Sequence, residues 1–341
     1  MRVLLVDIDS LWFNLALMKL SSYHKGRGDT VDLMRLSGRR YDTFGSHTDL
    51  SSIPAMKRYD KAYVSCIFTR NASRARSIAV MLESMGIPTE LGGSGVDLRK
   101  ELPYEVEHQC PDYTLYGLKY SVGFVTRGCI RNCPWCLVPI KEGRIRFHAP
   151  LEEFLRHKRL MLLDNNLLAY DGHHEILEKL AVWGVETCFT QGLDIRLVDN
   201  ENARLLKLVR YRDTEFRYPR LYFSWDSLDM ESDVLKGIDT LKRHGIPPSH
   251  LLFYMLCGFK IRSEDYTWDY FMENDWYRYE TLAKLGVKPF VMKWNGRRDI
   301  PLLNAFARWV NKAKKAYRKS LGALESFKSW LSYEYGVRSV G

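Results

Sequence analysis

Along the first stretch of the chain, up to Gly95, short apolar runs alternate with helix-spaced stripes. Val3–Val6, Val31–Leu36, Ala62–Phe68 and Thr89–Leu91 read as buried strands. Between them, Asn14–Lys25 places Leu15, Leu17, Met18 and Leu20 on one helical stripe that stops at Gly26 and Gly28. Arg74–Met85 is a second helix, ended by Gly86 with Pro88 just beyond. Strands that alternate with helices predict a parallel sheet with crossover helices, a Rossmann-like α/β unit.

A second and more regular series starts at Tyr120. Its strand candidates are Tyr120–Val125, Leu160–Leu163, Glu186–Phe189, Arg220–Ser224, Leu251–Leu256 and Lys288–Met292. Helical patterns lie between them at Leu151–Arg159, His174–Trp183, Glu201–Val209, Val234–His244 and Trp268–Leu285. Six βα repeats without antiparallel signals predict a barrel or partial barrel with its chemistry at the C-terminal ends of the strands. The chain closes on an apolar stripe of Leu302, Phe306, Trp309, Ala313, Tyr317, Leu321, Leu324, Phe327 and Leu331, three or four apart, which Gly322 breaks into two helices. The expected fold class is therefore α/β: a Rossmann-like domain over residues 1–110, a partial (β/α)6 TIM-like barrel over 111–300 and a helical tail over 301–341.

Composition adds little to this until charge and cysteine are considered. At 341 residues, 46% of them hydrophobic and 27% charged, the chain has material for a large core and two domains. Asp7 and Asp9 fall where a secretory signal would continue its apolar stretch, and the run Leu251–Cys257 is far short of the ~18 apolar residues of a membrane span. A soluble, cytoplasmic protein without a membrane partner is expected. Of the net charge of +10, residues 301–341 carry +6, eight Lys/Arg against two acids. Lys312, Lys314, Lys315, Arg318 and Lys319 fill the face opposite the apolar stripe, either as a site for nucleic acid or as a solvated face.

Seven cysteines are an odd number, and three of them crowd into Gly128-Cys129-Ile130-Arg131-Asn132-Cys133-Pro134-Trp135-Cys136, directly after the first strand of the second series. Clustered thiols in a reducing compartment suggest a metal site. Thiolates are soft ligands for iron-sulfur clusters or zinc, and three without a fourth nearby leave one metal position open. A structural zinc completed by His148 or Cys110 is the alternative.

On this C-x3-C-x2-C spacing, with the aromatic Trp135 before the last cysteine, the chain from Tyr120 to Trp309 resembles the radical S-adenosylmethionine (SAM) superfamily. The resemblance implies a 4Fe-4S cluster held by Cys129, Cys133 and Cys136. Its fourth iron binds the amino and carboxylate groups of SAM and donates the electron that cleaves it to methionine and a 5′-deoxyadenosyl radical. That radical takes a hydrogen atom from the substrate, here unidentified. An external one-electron reductant such as flavodoxin or ferredoxin is implied as partner.

Further positions follow from the same resemblance. Asp164, Asn165 and Asn166 stand where the family receives the SAM amino group, although the common Gly-Gly-Glu version is absent. Thr190-Gln191-Gly192-Leu193-Asp194-Ile195-Arg196 resembles a Gln-Gly-Leu-Asp-Ile-Arg stretch of a microbial and phage-like subgroup. Gln191, Asp194 and Arg196 can there reach a ribose hydroxyl and a carboxylate, or Asp194 and Arg196 pair with each other. Gly258 offers backbone to the adenine. His173-His174-Glu175 reads as a solvated helix start, since neighbouring helical positions do not face one another.

That subgroup has a cobalamin-binding-like N-terminal domain, matched here through Val3-Leu4-Leu5-Val6-Asp7 and Leu91-Gly92-Gly93-Ser94-Gly95. The cobalamin ligand signature Asp-x-His-x-x-Gly does not occur. Asp171-Gly172-His173 comes nearest, with Ile176 where Gly is needed. Cobalamin therefore stays an open question. Methylthiotransferases carry three further N-terminal cysteines, and only Cys66 and Cys110 precede the loop here. A rival of another class is a non-catalytic nucleic-acid-binding protein with a structural metal, and an electron-transfer protein would usually bring a fourth cysteine.

Overall fold

Four strands, β1 (Arg2–Asp7), β2 (Thr30–Arg35), β3 (Lys61–Ser65) and β4 (Thr89–Gly92), form a sheet in the order β2-β1-β3-β4 with every neighbour parallel. The computed structural model describes residues 1–36, 59–312 and 323–335. Alternation along β1 decides which helix each side chain meets, because successive side chains point to opposite faces. Val3 and Leu5 pack with Leu17 and Leu20 of α1 (Leu15–Gly26), while Leu4 and Val6 pack with Ala75, Ile78, Ala79 and Leu82 of α2 (Ala72–Ser84). Asn14 starts α1: its side chain accepts from Leu17 N–H at 3.2 Å and donates to Ser65 Oγ at 2.8 Å.

The strand expected to reach Phe68 stops at Ser65. The Asp9 carboxylate explains the stop, since it accepts from the N–H groups of Ile67 (2.7 Å) and Phe68 (3.0 Å) and from Asn71 Nδ2 (2.9 Å). Those donors are turned off the ladder toward the start of α2.

The chain divides into two compact units. The first comprises Met1–Val125, Ile140–Gly143 and Phe147–Met161, the second Thr126–Pro139, Arg144–Arg146 and Leu162–Gly341. Beyond its sheet the first unit holds the short helix α3 (Tyr104–Glu107) and β5 (Ser121–Gly123). α4 (Val138–Lys141) follows the cysteine segment, which is flanked in sequence by β6 (Thr126–Arg127) and β7 (Arg146–Phe147). The helix expected over Leu151–Arg159 is one turn, α5 (Leu151–Phe154), followed by β8 (Arg159–Leu162). Ser121 Oγ takes the N–H groups of Arg156 (2.8 Å) and His157 (3.0 Å), and the Arg156 guanidinium donates to the carbonyls of Glu152, Glu153 and Leu155. With its carbonyls satisfied from the side, the turn ends and the chain extends.

The second unit continues the βα alternation: α6 (His173–Val182), β9 (Glu186–Phe189), α7 (Asn200–Leu208), β10 (Arg210–Tyr211), β11 (Leu221–Ser224), α8 (Glu231–Arg243), β12 (Leu251–Cys257) and β13 (Lys288–Lys293). β9 pairs with β10, and β11, β12 and β13 form a sheet in that order, all parallel. The helix expected over Trp268–Leu285 is α9 (Trp268–Phe271), one π turn (Met272–Trp276) and α10 (Tyr277–Lys284). The wide turn brings Asp275 inward to Arg278, 2.5 Å away and almost wholly buried. Arg278 in turn donates to the carbonyls of Trp225 (2.6 Å) and Leu256 (3.0 Å), so the ion pair is held by strand-end backbone as well as by its own attraction.

The tail belongs to this unit. α11 (Pro301–Lys312) lies against β13 through Asn311, which exchanges two hydrogen bonds with the Val291 backbone. Phe306 and Trp309 from α11 and Phe327 from α12 (Ala323–Tyr335) join Phe271, Trp276 and Tyr279 in one buried aromatic cluster. Lys312 is exposed, while Ala313, Lys314, Lys315, Tyr317, Arg318, Lys319 and Leu321 lie outside the described residues. The protein is thus mixed α/β with parallel sheets, and none of its described helices is long and apolar enough to cross a membrane.

Candidate functional site

The cysteine segment starts from a latch. Asp164, just beyond β8 and buried, accepts with one carboxylate oxygen from Thr126 N–H (2.6 Å) and Thr126 Oγ1 (2.7 Å). Gly128 follows in the left-handed region at φ 84°, a turn that a side chain would resist, and delivers Cys129. Thr190 N–H donates to Leu162 O at 3.3 Å, which sets the segment after β9 beside the segment after β8.

Each thiol meets donors there. Cys129 Sγ accepts from Arg131 N–H and from Asn166 Nδ2, both at 3.3 Å. Cys136 Sγ accepts from Val138 N–H at 3.4 Å. Burial pushes the Cys133 thiol up, the Arg196 guanidinium, to which it is hydrogen-bonded, pulls it back, and the thiols of Cys136 and Cys129 push it up further. Donors aimed at sulfur favour the thiolate, the form that binds metal.

The loop is fixed from the other side by Asp194. Its carboxylate accepts from Arg131 Nε at 2.9 Å, Arg196 Nε at 2.7 Å, Arg196 Nη2 at 3.1 Å and Asn166 Nδ2 at 3.4 Å. Burial alone would raise this carboxyl; the two guanidiniums outweigh it and hold Asp194 below its ordinary value. The sequence offers Asp194 as a ribose contact, and the structure uses it as a clamp between the cysteine loop and the β9 segment. Arg131 carries no signal in the sequence beyond its place between two of the cysteines.

Asn166 is 3% exposed, and its Oδ1 has no donor among the described residues. An orphaned acceptor beside Cys129 suits the ammonium group of an amino acid. Asn165 is half-buried next to it, and Gln191 is exposed at the end of β9. Gly258 sits at φ 76°, and a Cβ there would come within 2.7 Å of Leu303 Cδ2, so its bare backbone makes room for α11. Trp135 meets Phe259 edge to face with centroids 5.3 Å apart. Trp225, by contrast, is wholly buried.

One zinc ion with sulfur ligands at ~2.3 Å needs its donors to converge on a point. Among the described residues no three His, Cys, Asp or Glu side chains do so. Three thiols on one short loop with donors directed at them are soft ligands of the chemistry an iron-sulfur cluster takes. His148 has its Nε2 3.2 Å from Glu107, and Cys110 Sγ lies 3.9 Å from the Pro111 carbonyl; both residues lie in the first unit. His173 is engaged by the Tyr170 carbonyl and Asn202 Oδ1 at the start of α6.

The cobalamin-binding-like resemblance falls on the N-terminal sheet, where the described turns close on their own backbone. The N–H groups beyond β3 are taken by Asp9. Gly93 and Gly95 leave space that the backbone of Cys66 and Phe68 fills, with 2.3 and 2.7 Å from a built Cβ to the nearest atom. In comparisons with known proteins, no family model and no curated protein matches the chain.

Proposed function

We propose that the chain is a cytoplasmic radical SAM enzyme, with a Rossmann-like N-terminal unit, a partial (β/α)6 barrel and a helical tail that closes it. The observation that carries the reading is the cysteine loop itself: three thiols of one short segment, each supplied with a donor, next to a buried amide oxygen that lacks one. Bound there, a 4Fe-4S cluster supplies one electron to SAM, whose cleavage starts radical chemistry on the substrate.

The chain's own residues do the rest. Cys129, Cys133 and Cys136 hold the metal. Arg131 N–H, Asn166 Nδ2, Val138 N–H and the Arg196 guanidinium offset the negative charge on sulfur, which tunes the ease of reduction. Asn166 Oδ1 accepts from the SAM amino group, Trp135 and the Gly258 segment line the side toward β12, and Asp194 keeps both arginines in place. The electron comes from a flavodoxin- or ferredoxin-like donor.

The test is anaerobic reconstitution with iron and sulfide, then SAM and dithionite, with 5′-deoxyadenosine as readout. Wild type should bind about four irons per chain and release deoxyadenosine. Cys133→Ala should lose both, and Cys188→Ala, buried in β9, should keep its iron. A full cluster in Cys133→Ala, or a colourless zinc protein with no SAM cleavage, sinks the reading.

A further inference from the structure

We propose that the rim formed by the ends of β12 and β13 binds a substrate carrying both a planar ring and a phosphate, that is, a nucleoside phosphate, free or within a single strand. This deepens the reading above and rests on it for the reacting end of the site.

The first observation is a run of three rings. Trp135, set between Cys133 and Cys136, meets Phe259 beyond β12 edge to face, and Phe259 meets Trp294 beyond β13 in the same way, each pair 5.3 Å between centroids. Core tryptophans of this unit, Trp225, Trp276 and Trp309, are 0–2% exposed. Trp135, Phe259 and Trp294 are only half-buried, so ring surface is left open along a line that starts in the cysteine loop. Open aromatic surface beside a reactive centre is suited to stacking a base, which every nucleobase permits through its π face.

The second observation is independent and concerns charge. Lys260 Nζ lies 5.4 Å from the Phe259 centroid. Burial pulls the Lys293 ammonium down, and the nearby Arg298 adds to that. Asn304 of α11 ties the Lys293 side chain to the Arg298 backbone: its Oδ1 accepts from Lys293 Nζ at 2.5 Å and its Nδ2 donates to the Arg298 carbonyl at 2.9 Å. Their neighbours Arg262 and Arg297 are ion-paired with Asp265 and Asp299. Among the described residues no carboxylate is in ion-pair contact with Lys260, Lys293 or Arg298. Cations gathered without a counter-charge call for an anion.

Backbone strain falls in the same place. Of the three non-glycine residues with positive φ among the described residues, Lys260 (51°) and Asn295 (50°) sit on this rim, beside Gly258 and Gly296 in the same region. A left-handed lysine persists where its surroundings over-determine it, and here it sets the ammonium over the Phe259 ring.

The experiment uses the full chain without SAM or reductant, so its outcome is separate from that of the deoxyadenosine assay. Fluorescence anisotropy follows short labelled single strands of RNA and DNA at about 50 and 200 mM salt. The competitors are a mononucleotide, inorganic phosphate and an abasic strand of equal length. Trp294→Leu should weaken binding roughly 5- to 100-fold. The double variant Lys260→Gln/Arg298→Gln, both sites exposed and therefore safe for folding, should weaken it and flatten its salt dependence. Competition by the mononucleotide assigns a free nucleotide; competition by base-bearing strands alone assigns a strand. Wild type that binds neither, variants that bind like wild type, or phosphate and abasic strand competing as well as base-bearing ligands would each overturn the proposal.

Discussion

Replacing Asp194 by Asn keeps the side chain's shape and removes the charge that holds Arg131 and Arg196. The carboxylate is 5% exposed, whereas the two guanidiniums are 33% and 23% exposed. Bare attraction at the 2.9 Å contact with Arg131, at an effective dielectric near 20, is about 6 kcal/mol and an upper bound. Solvent around the guanidiniums and the desolvation of the carboxylate reduce this to about 1–2 kcal/mol per pair, and to about 2–3 kcal/mol for the two pairs that share one carboxylate.

Eight of the nine tryptophans lie in the second unit, so their fluorescence in a urea titration reports on the clamp's own surroundings. D194N should lose that ~2–3 kcal/mol at neutral pH, and a double-mutant cycle with R131Q should return a coupling of about 1 kcal/mol. The acid side gives an independent check. Asp194 is held below its ordinary value of 3.8, so its stabilisation is complete above that pH and is lost as pH falls through the lower folded-state value. Wild type and D194N should therefore converge in acid. If D194N is as stable as wild type at neutral pH, uncoupled from R131Q, and weaker only in SAM binding, the clamp is refuted and the carboxylate belongs to the ribose.

Phe327→Ala removes the ring at the centre of the α11–α12 cluster and should cost about 3–5 kcal/mol, seen first as lost hydrogen-exchange protection over Ala323–Tyr335. Gly95→Ala would set a Cβ 2.7 Å from the Phe68 backbone and should destabilise the first unit by about 1–3 kcal/mol; Gly26→Ala, in open space at the end of α1, should be neutral or gain up to about 1 kcal/mol. Asp112 is depressed to about 2: burial opposes this, and Lys25, Ser21 and Thr114 prevail. Asp112→Asn should thus remove about 1–2 kcal/mol above pH 4, with the difference from wild type vanishing between about pH 4 and 2.

Regular elements were legible because burial imposes a period. The Val3–Val6 run reads as a strand because both of its faces are buried, and the stripe of α8 as a helix because one side of it is. β6, β7 and β10 are two residues each, too short to carry a period, and they escaped. The π turn escaped too, because the stripe of Trp268–Leu285 is helical on both sides of it. Asp275 and Arg278 are only three residues apart, but the carbonyls of Trp225 and Leu256 that receive Arg278 are more than twenty residues away in the sequence.

The site divides along the same line. Spacing brought the three cysteines together on the page because the ligands of one loop are local, but the partner of Arg131 is sixty-three residues away. The acids past the strand ends show why ranking by charge misleads. Asp164 and Asp194 stand in the sequence as SAM contacts, and each is engaged by its own chain, Asp164 by Thr126 and Asp194 by two arginines; Asp9, past the end of β1, is likewise taken by two backbone N–H groups. A buried carboxylate without partners is costly enough that the fold supplies them. A neutral amide left half-satisfied costs only about 1–3 kcal/mol. The fold can carry that in the absence of ligand, so the open acceptor beside the cysteines is Asn166 rather than either flanking acid.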